Sequence, residues 1–399
     1  MLCYIAYPTS LTLQSANALQ TYTTMRELRQ HRPDMLALIA HWGRGPSRFR
    51  EVGALHLPRP ALGKLSRLYP SSLWYYLEYS TFAWMCAPII AAQRVDAIYV
   101  RQNICAAWWS SVFGPRLNIP VVYEAHDLEL RNPSRAREPW AQGWVHMIDR
   151  LALTRSTAVV SLTEQFRRYL DAIDWRRPDE VFVVPDAYDD TLFVPHDRAA
   201  GRAALGLPPD GAIVCYAGMT FAHRWLDGLL EAAARLVAAH PRLLVVLVGG
   251  RPAEIEALRQ QARMLGIGEH VHCTGPCAQD DVVRALSAAD VLVIPDTLTD
   301  MTASPLKLFE YLALGQPLVL PNLPALHEIV PAALAHYFPR RSLDGLVRAL
   351  DAALCDPATG AATAGRRAIA RQHTYGRRAE RILKVVDGVV QRKNQQRQD

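Results

Sequence analysis

The chain is poor in several features, and each shortage argues against a class of protein. Cysteine occurs seven times in 399 residues, an odd count with no framework spacing, so a disulfide-stapled secreted scaffold is not expected. Cys3 and Cys215 lie inside apolar strand-like runs and Cys86 inside an aromatic helix, which reads as buried thiols in a reducing compartment, the cytoplasm. Cys273 and Cys277 have no second ligand pair at zinc spacing, so no metal is expected. The longest apolar helical stretch, residues 81–92, contains Pro88 and is too short to cross a bilayer. Met1-Leu2-Cys3-Tyr4-Ile5 enters a strand at once without a basic leader, so no secretory signal is expected. No Gly-x-Gly-x-x-Gly turn follows either strand-like run at 2–7 or 212–216, which argues against a nicotinamide dehydrogenase. Charge of one sign is also scarce: 44 Lys and Arg stand against 38 Asp and Glu, a net +6. Without any groove-reading or RNA-binding motif, no nucleic-acid partner is expected.

What is present is alternation. Short apolar runs at 2–7, 35–39, 97–100, 120–123, 158–161 and 180–184 are separated by helical patterns at 15–30, 74–92, 106–113 and 140–154. After 186–195 the pattern restarts, with strands at 212–216, 243–248, 271–273, 291–294 and 318–320 and helices at 226–239, 252–264, 280–287 and 305–314. Strands alternating with helices predict parallel sheets covered on both faces. The length predicts two domains of roughly 180 residues each. The predicted division is 1–190, 191–370 and a returning terminal segment 371–399, with 187–197 as linker.

The positive charge is concentrated early. Residues 1–120 hold 12 Lys and Arg against 5 Asp and Glu. Arg44, Arg48, Arg50, Arg59, Lys64 and Arg67 are interleaved with Trp42, Phe49 and Tyr69. Attraction to an anionic membrane or an anionic acceptor is one reading, and a solvated basic face is the other. The helix carrying Trp74, Tyr75, Tyr76, Leu77, Tyr79, Phe82 and Trp84 is aromatic on more than one face. Core packing is its first reading and a membrane-facing stripe its second.

The most informative stretch is Ser304-Pro305-Leu306-Lys307-Leu308-Phe309-Glu310-Tyr311, followed by Gly315 and the apolar run from Leu318. It predicts a helix capped by Ser304 with Pro305 in its first turn, stopped by glycine and followed by a buried strand. Lys307 and Glu310 are one turn apart on one face. An ammonium and a carboxylate beside a helix N-terminus suit a diphosphate and ribose hydroxyls, and so a nucleotide-sugar donor.

Taken in order, Tyr123-Glu124-Ala125-His126-Asp127, Pro185-Asp186-Ala187-Tyr188-Asp189 with Phe193, Tyr216-Ala217-Gly218, Leu247-Val248-Gly249, Thr274-Gly275, Ala288-Ala289-Asp290-Val291 with Pro295, the 304–319 block and His373-Thr374-Tyr375 resemble the retaining glycosyltransferases of family 4. The resemblance covers nearly the whole chain. It implies the α/β GT-B fold, two Rossmann-like domains facing across a cleft, with a C-terminal helix crossing back to the first domain. Departures accompany it. Thr302 stands where the family commonly has the first of two glutamates, in the Ser-Pro-Leu-Lys-x-x-Glu-Tyr variant found in a subset of members. Met219 replaces an arginine, with Arg224 in place of the usual lysine, and Ser15-Ala16-Asn17-Ala18 replaces a glycine-rich turn.

The resemblance implies a transferase using a nucleoside-diphosphate sugar, with a glycan, lipid-linked or small-molecule acceptor. Gly218, Arg224, Thr274, Gly275, Ser304, Leu306, Lys307 and Glu310 are the donor-binding candidates. His126, Asp127 and Arg224 are the catalytic candidates, and Ser15, Asn17, Tyr99 and Arg101 lie on the acceptor side. No cofactor or metal is implied, because the chain lacks the Asp-x-Asp pair of the other large glycosyltransferase architecture. The implied location is the cytoplasm, with peripheral contact at the inner face of the membrane. A sugar-nucleotide epimerase on the same scaffold and an inactive sugar-nucleotide-binding protein are the alternative expectations.

Overall fold

The structure, a computed structural model, describes the chain except residues 14, 42–44, 60–61, 68–72, 132–137, 357–359 and 397–399 and the side chains of 63, 66 and 67. The chain divides into two compact units, one formed by Met1–Pro185 with Tyr375–Asp399 and the other by Asp186–Thr374.

Unit 1 is built on a parallel sheet of seven strands: β1 (Leu2–Ala6), β2 (Leu36–His41), β3 (Leu55–Pro58), β4 (Ala97–Val100), β5 (Val121–Ala125), β6 (Ala158–Ser161) and β7 (Val181–Val183). Their order across the sheet is β3-β2-β1-β4-β5-β6-β7. The central strands are buried on both faces and apolar apart from Glu124 on β5, as helices on both sides of a parallel sheet require. The terminal helix Tyr375–Gln395 returns to this unit and lays Ala379, Ile382, Val386 and Val389 into the same core as Tyr4, Met25 and Tyr99. Their three- and four-residue spacing is one stripe of a helix.

Unit 2 carries six parallel strands: β8 (Ile213–Ala217), β9 (Leu244–Val248), β10 (Val271–Gly275), β11 (Val291–Val293), β12 (Leu318–Pro321) and β13 (His336–Phe338). They are ordered β10-β9-β8-β11-β12-β13. One apolar cluster fills each face, one around Phe309 and Leu312 and the other around Leu229 and Leu350. The fold class inferred from the sequence is therefore present twice.

Several expectations are corrected. The division falls at Pro185/Asp186 and at Thr374/Tyr375, not at 190/191 and 370/371. Residues 187–197 are not a free linker. Tyr188 pairs with Thr374 and its N–H donates to the His373 carbonyl at 3.1 Å, while Phe193 is buried in the unit 2 core. The periodicity missed β3 and β13, which are short, and the helices Leu343–Cys355 and Gly360–Ala370. The basic stretch is not one cationic face either: Phe49 is in the core, Arg48 pairs with Glu51, and Arg59 pairs with the buried Glu78. Trp42, Arg44 and Tyr69 lie outside the described residues, as does the side chain of Arg67. All seven cysteines are free. No helix among the described residues is long and apolar enough to cross a membrane.

A buried ion cluster ties the returning helix to the unit 1 sheet. The Glu124 carboxylate on β5 has no exposed surface, and it meets Arg378 at 2.8 Å and Arg101 at 3.1 Å. Tyr99 donates its hydroxyl to the second carboxylate oxygen. Arg378 also donates to the Pro185 carbonyl at 3.2 Å and to the Thr24 hydroxyl at 3.2 Å. Burial by itself would raise the Glu124 pKa, but the Arg378 and Arg101 guanidinium groups hold it well below the usual carboxylate range. Removing one cation leaves a buried charge short of a partner. Arg378→Met is therefore expected to destabilise the chain by roughly 3–5 kcal/mol, read as a lower urea midpoint. An unchanged midpoint would contradict the role given to the cluster.

Candidate functional site

The strand ends of unit 2 come first, because ligands of open parallel sheets collect at the carboxyl edge. Three neighbouring strands end there in glycine. Gly218 follows β8, Gly249 follows β9 and Gly275 ends β10, with φ of +132°, +93° and +70°. The Gly218 N–H donates to the Val248 carbonyl at 2.9 Å and the Gly249 N–H to the Gly275 carbonyl at 3.1 Å. A Cβ on Gly249 would stand 2.9 Å from the Gly218 carbonyl oxygen, and a Cβ on Gly218 would stand 2.9 Å from Lys307 Nζ. The glycines therefore form a low floor that side chains would fill. The Thr274 hydroxyl donates to the Gly275 carbonyl at 2.9 Å and accepts from the Gly249 N–H at 3.3 Å, so it braces that floor.

The predicted motif helix runs from Leu306 to Leu314 and stops at Gly315, whose φ of +86° is left-handed. Its start differs from expectation. Pro305 is the capping residue and makes no side-chain cap. The Ser304 hydroxyl instead accepts from the Asp186 N–H at 3.0 Å and is buried. Tyr311 sets the helix against β8, since its hydroxyl accepts from the Ala217 N–H at 2.8 Å. One turn earlier on that face, Lys307 Nζ lies 3.9 Å from the centroid of the Tyr216 ring. The first helical N–H groups, those of Leu306 and Lys307, precede the helix's own ladder.

Lys307, Glu310 and Arg224 are half-buried, and among the described residues none of them has an ion-pair partner. Burial, and then the nearby Arg224 charge, pushes the Lys307 pKa well below the usual lysine value. Burial pushes Glu310 up to about 7, and Lys307 opposes that rise. Arg224 ends the short turn Ala222–Arg224, and its Nε is buried without a hydrogen-bond partner. The Trp225 ring lies on Gly228.

Sequence reasoning missed two neighbours of this group. His223 has its pKa lowered by burial, with Arg224 and Lys307 adding to the effect, which favours a neutral imidazole. Asp296 is fully buried just beyond β11 and is clamped by Arg340 at 2.6 Å and Arg341 at 2.7 Å. The signal available for it was the polar residue after a buried strand. Thr302, at the position of the missing glutamate, is buried with its hydroxyl 2.7 Å from that of Thr299.

Unit 1 has its own polar cavity of about 240 Å³, lined by Arg101, Asn103, Tyr123, His126, Asp127 and Glu129, with Tyr75, Tyr76 and Tyr79. His126 follows β5, and its Nε2 lies 2.6 Å from Glu124 Oε1 and 2.9 Å from Arg101 Nη2. Arg101 also donates to the Thr21 hydroxyl at 2.6 Å and to the Gln20 side-chain carbonyl. Asp127 accepts from the Leu128 N–H at 2.8 Å. Beside it, burial raises Asp149 to about 6.

The acceptor-side candidates separate. Arg101 lines the cavity, but Tyr99 is buried in the sheet core, stacked on Tyr4. Its place in the core removes it from any acceptor surface. Ser15 caps the helix Ala16–His31 by accepting from the Ala18 N–H, and Asn17 accepts from the Thr9 N–H at 3.2 Å. Neither lines the cavity. The catalytic candidates are divided, with His126 and Asp127 in unit 1 and Arg224 in unit 2.

One group of described residues has metal-ligand spacing: His240, Asp351 and Cys355, with ligand atoms within 4.8 Å of one another. It lies past the C-terminal end of the helix Leu226–Leu236 and at that of Leu343–Cys355, on the sheet edge opposite the glycine floor.

Comparisons with known proteins agree with both halves. Residues 16–187 match the family model "Glycosyl transferase 4-like domain" and residues 197–371 match "Glycosyl transferases group 1". The chain is 31% identical over 201 residues to the D-inositol 3-phosphate glycosyltransferase of Stackebrandtia nassauensis, covering 48% of this chain and 44% of that one. It is 33% identical over 186 residues to that of Mycolicibacterium gilvum, covering 45% and 41%. The chain thus spans less than half the length of these curated relatives. Over its whole length it has the fold of Anabaena HepE, solved in complex with UDP, with a TM-score of 0.73 and 16% identity over 97% of this chain and 99% of that one. It is similarly related to WaaG, a glycosyltransferase involved in lipopolysaccharide biosynthesis, with a TM-score of 0.69 and 16% identity over 98% and 99%.

The raised Glu310 pKa fixes the sign of a pH effect. An unfolded chain ionises this group near 4.5 and the folded chain near 7, so the native state holds the extra proton between those values. Its contribution to stability is full below about pH 4.5 and is lost as pH rises to about 7. Glu310→Gln is expected to melt above the parent chain at pH 8, with the gap closing toward pH 4.5. Scanning fluorimetry across that range checks it, and a pH-independent gap would contradict it.

Proposed function

We propose that this chain, a GT-B glycosyltransferase of family 4 by its domain matches and fold, moves a sugar with retention from a nucleoside-diphosphate donor to a glycan, lipid-linked or small-molecule acceptor. The observation that carries the reading is the group of Lys307 and Arg224, two cations that have no ion-pair partner among the described residues, beside a glycine floor and a helix N-terminus. Two desolvated cations repel each other and cost stability until an anion joins them. A diphosphate supplies that anion, and the N–H groups of Leu306 and Lys307 add donors where the helix dipole is positive.

Each role follows from the bond that breaks. When the bond from the sugar's anomeric carbon to the phosphate oxygen opens, negative charge grows on the diphosphate and positive charge on the sugar. Lys307 and Arg224 stabilise the first, and being fixed in advance they need no reorganisation. The acceptor hydroxyl forms the new bond on the same face, and its proton passes to the departing phosphate oxygen, so no side chain has to act as base. Glu310 accepts from ribose hydroxyls, a contact that draws it into its ionised form. The floor at Gly218, Gly249 and Gly275 leaves room for a flat base, with Thr274 beside it. In unit 1, His126, whose Nε2 is committed to Glu124, keeps Nδ1 for a ligand hydroxyl in the cavity that Asp127 and Arg101 also line. The chain's own cations supply the charge a metal would otherwise bring, and no cofactor enters the reading.

Charge-assisted contacts of this kind are worth about 1.5–3 kcal/mol each. Lys307→Ala and Arg224→Ala are therefore expected to weaken uridine or guanosine diphosphate binding by at least about tenfold while circular dichroism stays unchanged. Calorimetric titration with uridine, guanosine and adenosine diphosphates identifies the base. Equal affinity of both variants and the parent for every nucleotide would remove the proposal.

A further inference from the structure

A second cavity in unit 1 is distinct from the polar group around His126. It is a groove of about 460 Å³ between the helices Leu73–Ala91, Asn103–Trp108 and Gln142–Arg155. Leu77, Trp108, Val112, Trp144, Met147 and Leu151 represent its lining, and among the described residues its polar side-chain groups are the hydroxyls of Tyr76, Ser80 and Ser111 and the indole N–H groups of three tryptophans. Trp108 is held edge-on by Trp84 at 5.4 Å, so that wall is already formed. On the open side, Trp140 and Trp144 expose 58% and 64% of their surface. Clustered rather than scattered, such rings mark a binding surface, and the volume is within the range of small-molecule sites.

The lining selects the occupant. A peptide or a protein loop would bring more backbone N–H and C=O groups than the few hydroxyls and indole N–H groups of this wall can satisfy, and each one left over would be costly to bury. A hydrocarbon chain brings none. The groove also adjoins the polar cavity, since Tyr76 and Ile104 line both. One side of that junction carries His126, Asp127, Asn103 and tyrosine rings, suited to hydroxyl groups, and the other is mostly hydrocarbon and indole, with three hydroxyls.

We infer that the acceptor is an amphiphile, with its hydroxylated head in the cavity at His126 and Asp127 and its alkyl or polyprenyl chain along the Trp108–Trp144 groove. The inference rests on the proposed sugar transfer and names its acceptor class.

The test uses the full chain and three monomeric probes below their micellar concentrations: methyl, hexyl and decyl β-glucoside, titrated by calorimetry and by tryptophan emission. Each buried methylene is worth about 0.8 kcal/mol, so affinity is expected to rise at least about tenfold from hexyl to decyl, with a blue shift in emission. Trp144→Glu, at an exposed position that the fold tolerates, and Ala107→Leu, which fills the groove from its floor, are each expected to abolish that gain. Equal affinity for hexyl and decyl glucoside overturns the inference. So does binding to phosphatidylglycerol vesicles without binding of monomers, which makes the face a bilayer contact. So does self-association in sedimentation that Trp144→Glu removes, which makes it a contact between copies. A uridine diphosphate titration run alongside separates the two proposals. Chain-length dependence with no nucleotide binding removes the sugar transfer and leaves a lipid site, and the reverse removes only the groove.

Discussion

Lys307 is a cation in a place that disfavours cations, and the unit 2 site is organised around that fact. Its ammonium lies over the Tyr216 ring and close to Arg224. Neither cation makes an ion pair among the described residues, and the field of Glu310 offsets the Lys307 charge only in part. A fold optimised only for stability would not keep this arrangement, because a desolvated charge is tolerated when paired and costly when not. The position is nonetheless rigid. Tyr311 anchors the helix to the end of β8, and the missing side chain of Gly218 lets the ammonium approach. Under the proposed sugar transfer, a doubly charged ligand would offset the strain of holding positive charge in place.

The two buried glutamates show the same principle with opposite outcomes. Glu124 is satisfied by Arg101, Arg378 and Tyr99 and stays ionised, so it functions as structure: it secures the returning helix and fixes the His126 ring. Glu310 is left without such partners and its affinity for a proton rises. An acid with its contacts completed by protein is part of the framework, while one left incomplete is available to a ligand. Unit 1 shows a similar contrast between surfaces. The cavity at His126 is crowded with tyrosine, amide and carboxylate groups, while the adjoining groove is nearly free of polar atoms.

Much of the fold was legible in the sequence because its signals are local. The central strands of both sheets are runs of four or five apolar residues, and the motif helix carries its own glycine stop. β3 and β13 were missed because they are only four and three residues long and half-exposed. The placement of Lys307, Glu310 and Tyr311 on one short helix was legible as well, since it follows from helical spacing. The role of Ser304 was not, because its partner is Asp186, 118 residues away. The same holds for Tyr99, which stands at a strand end like Arg101 but points into the core.

Composition, alternation and the spacing in residues 304–315 determined by themselves that the chain forms two parallel α/β units and that the second carries a short helix with Lys307 and Glu310 on it, stopped at Gly315. Tertiary structure alone decided which charges are left unpaired, which glutamate is saturated, and which aromatic residues of the helix Leu73–Ala91 remain in water. The physical reason is range. Periodicity and capping act within a turn or two of the backbone, whereas desolvation depends on what distant segments bring to the same point, such as Arg378 reaching Glu124 across 254 residues of chain.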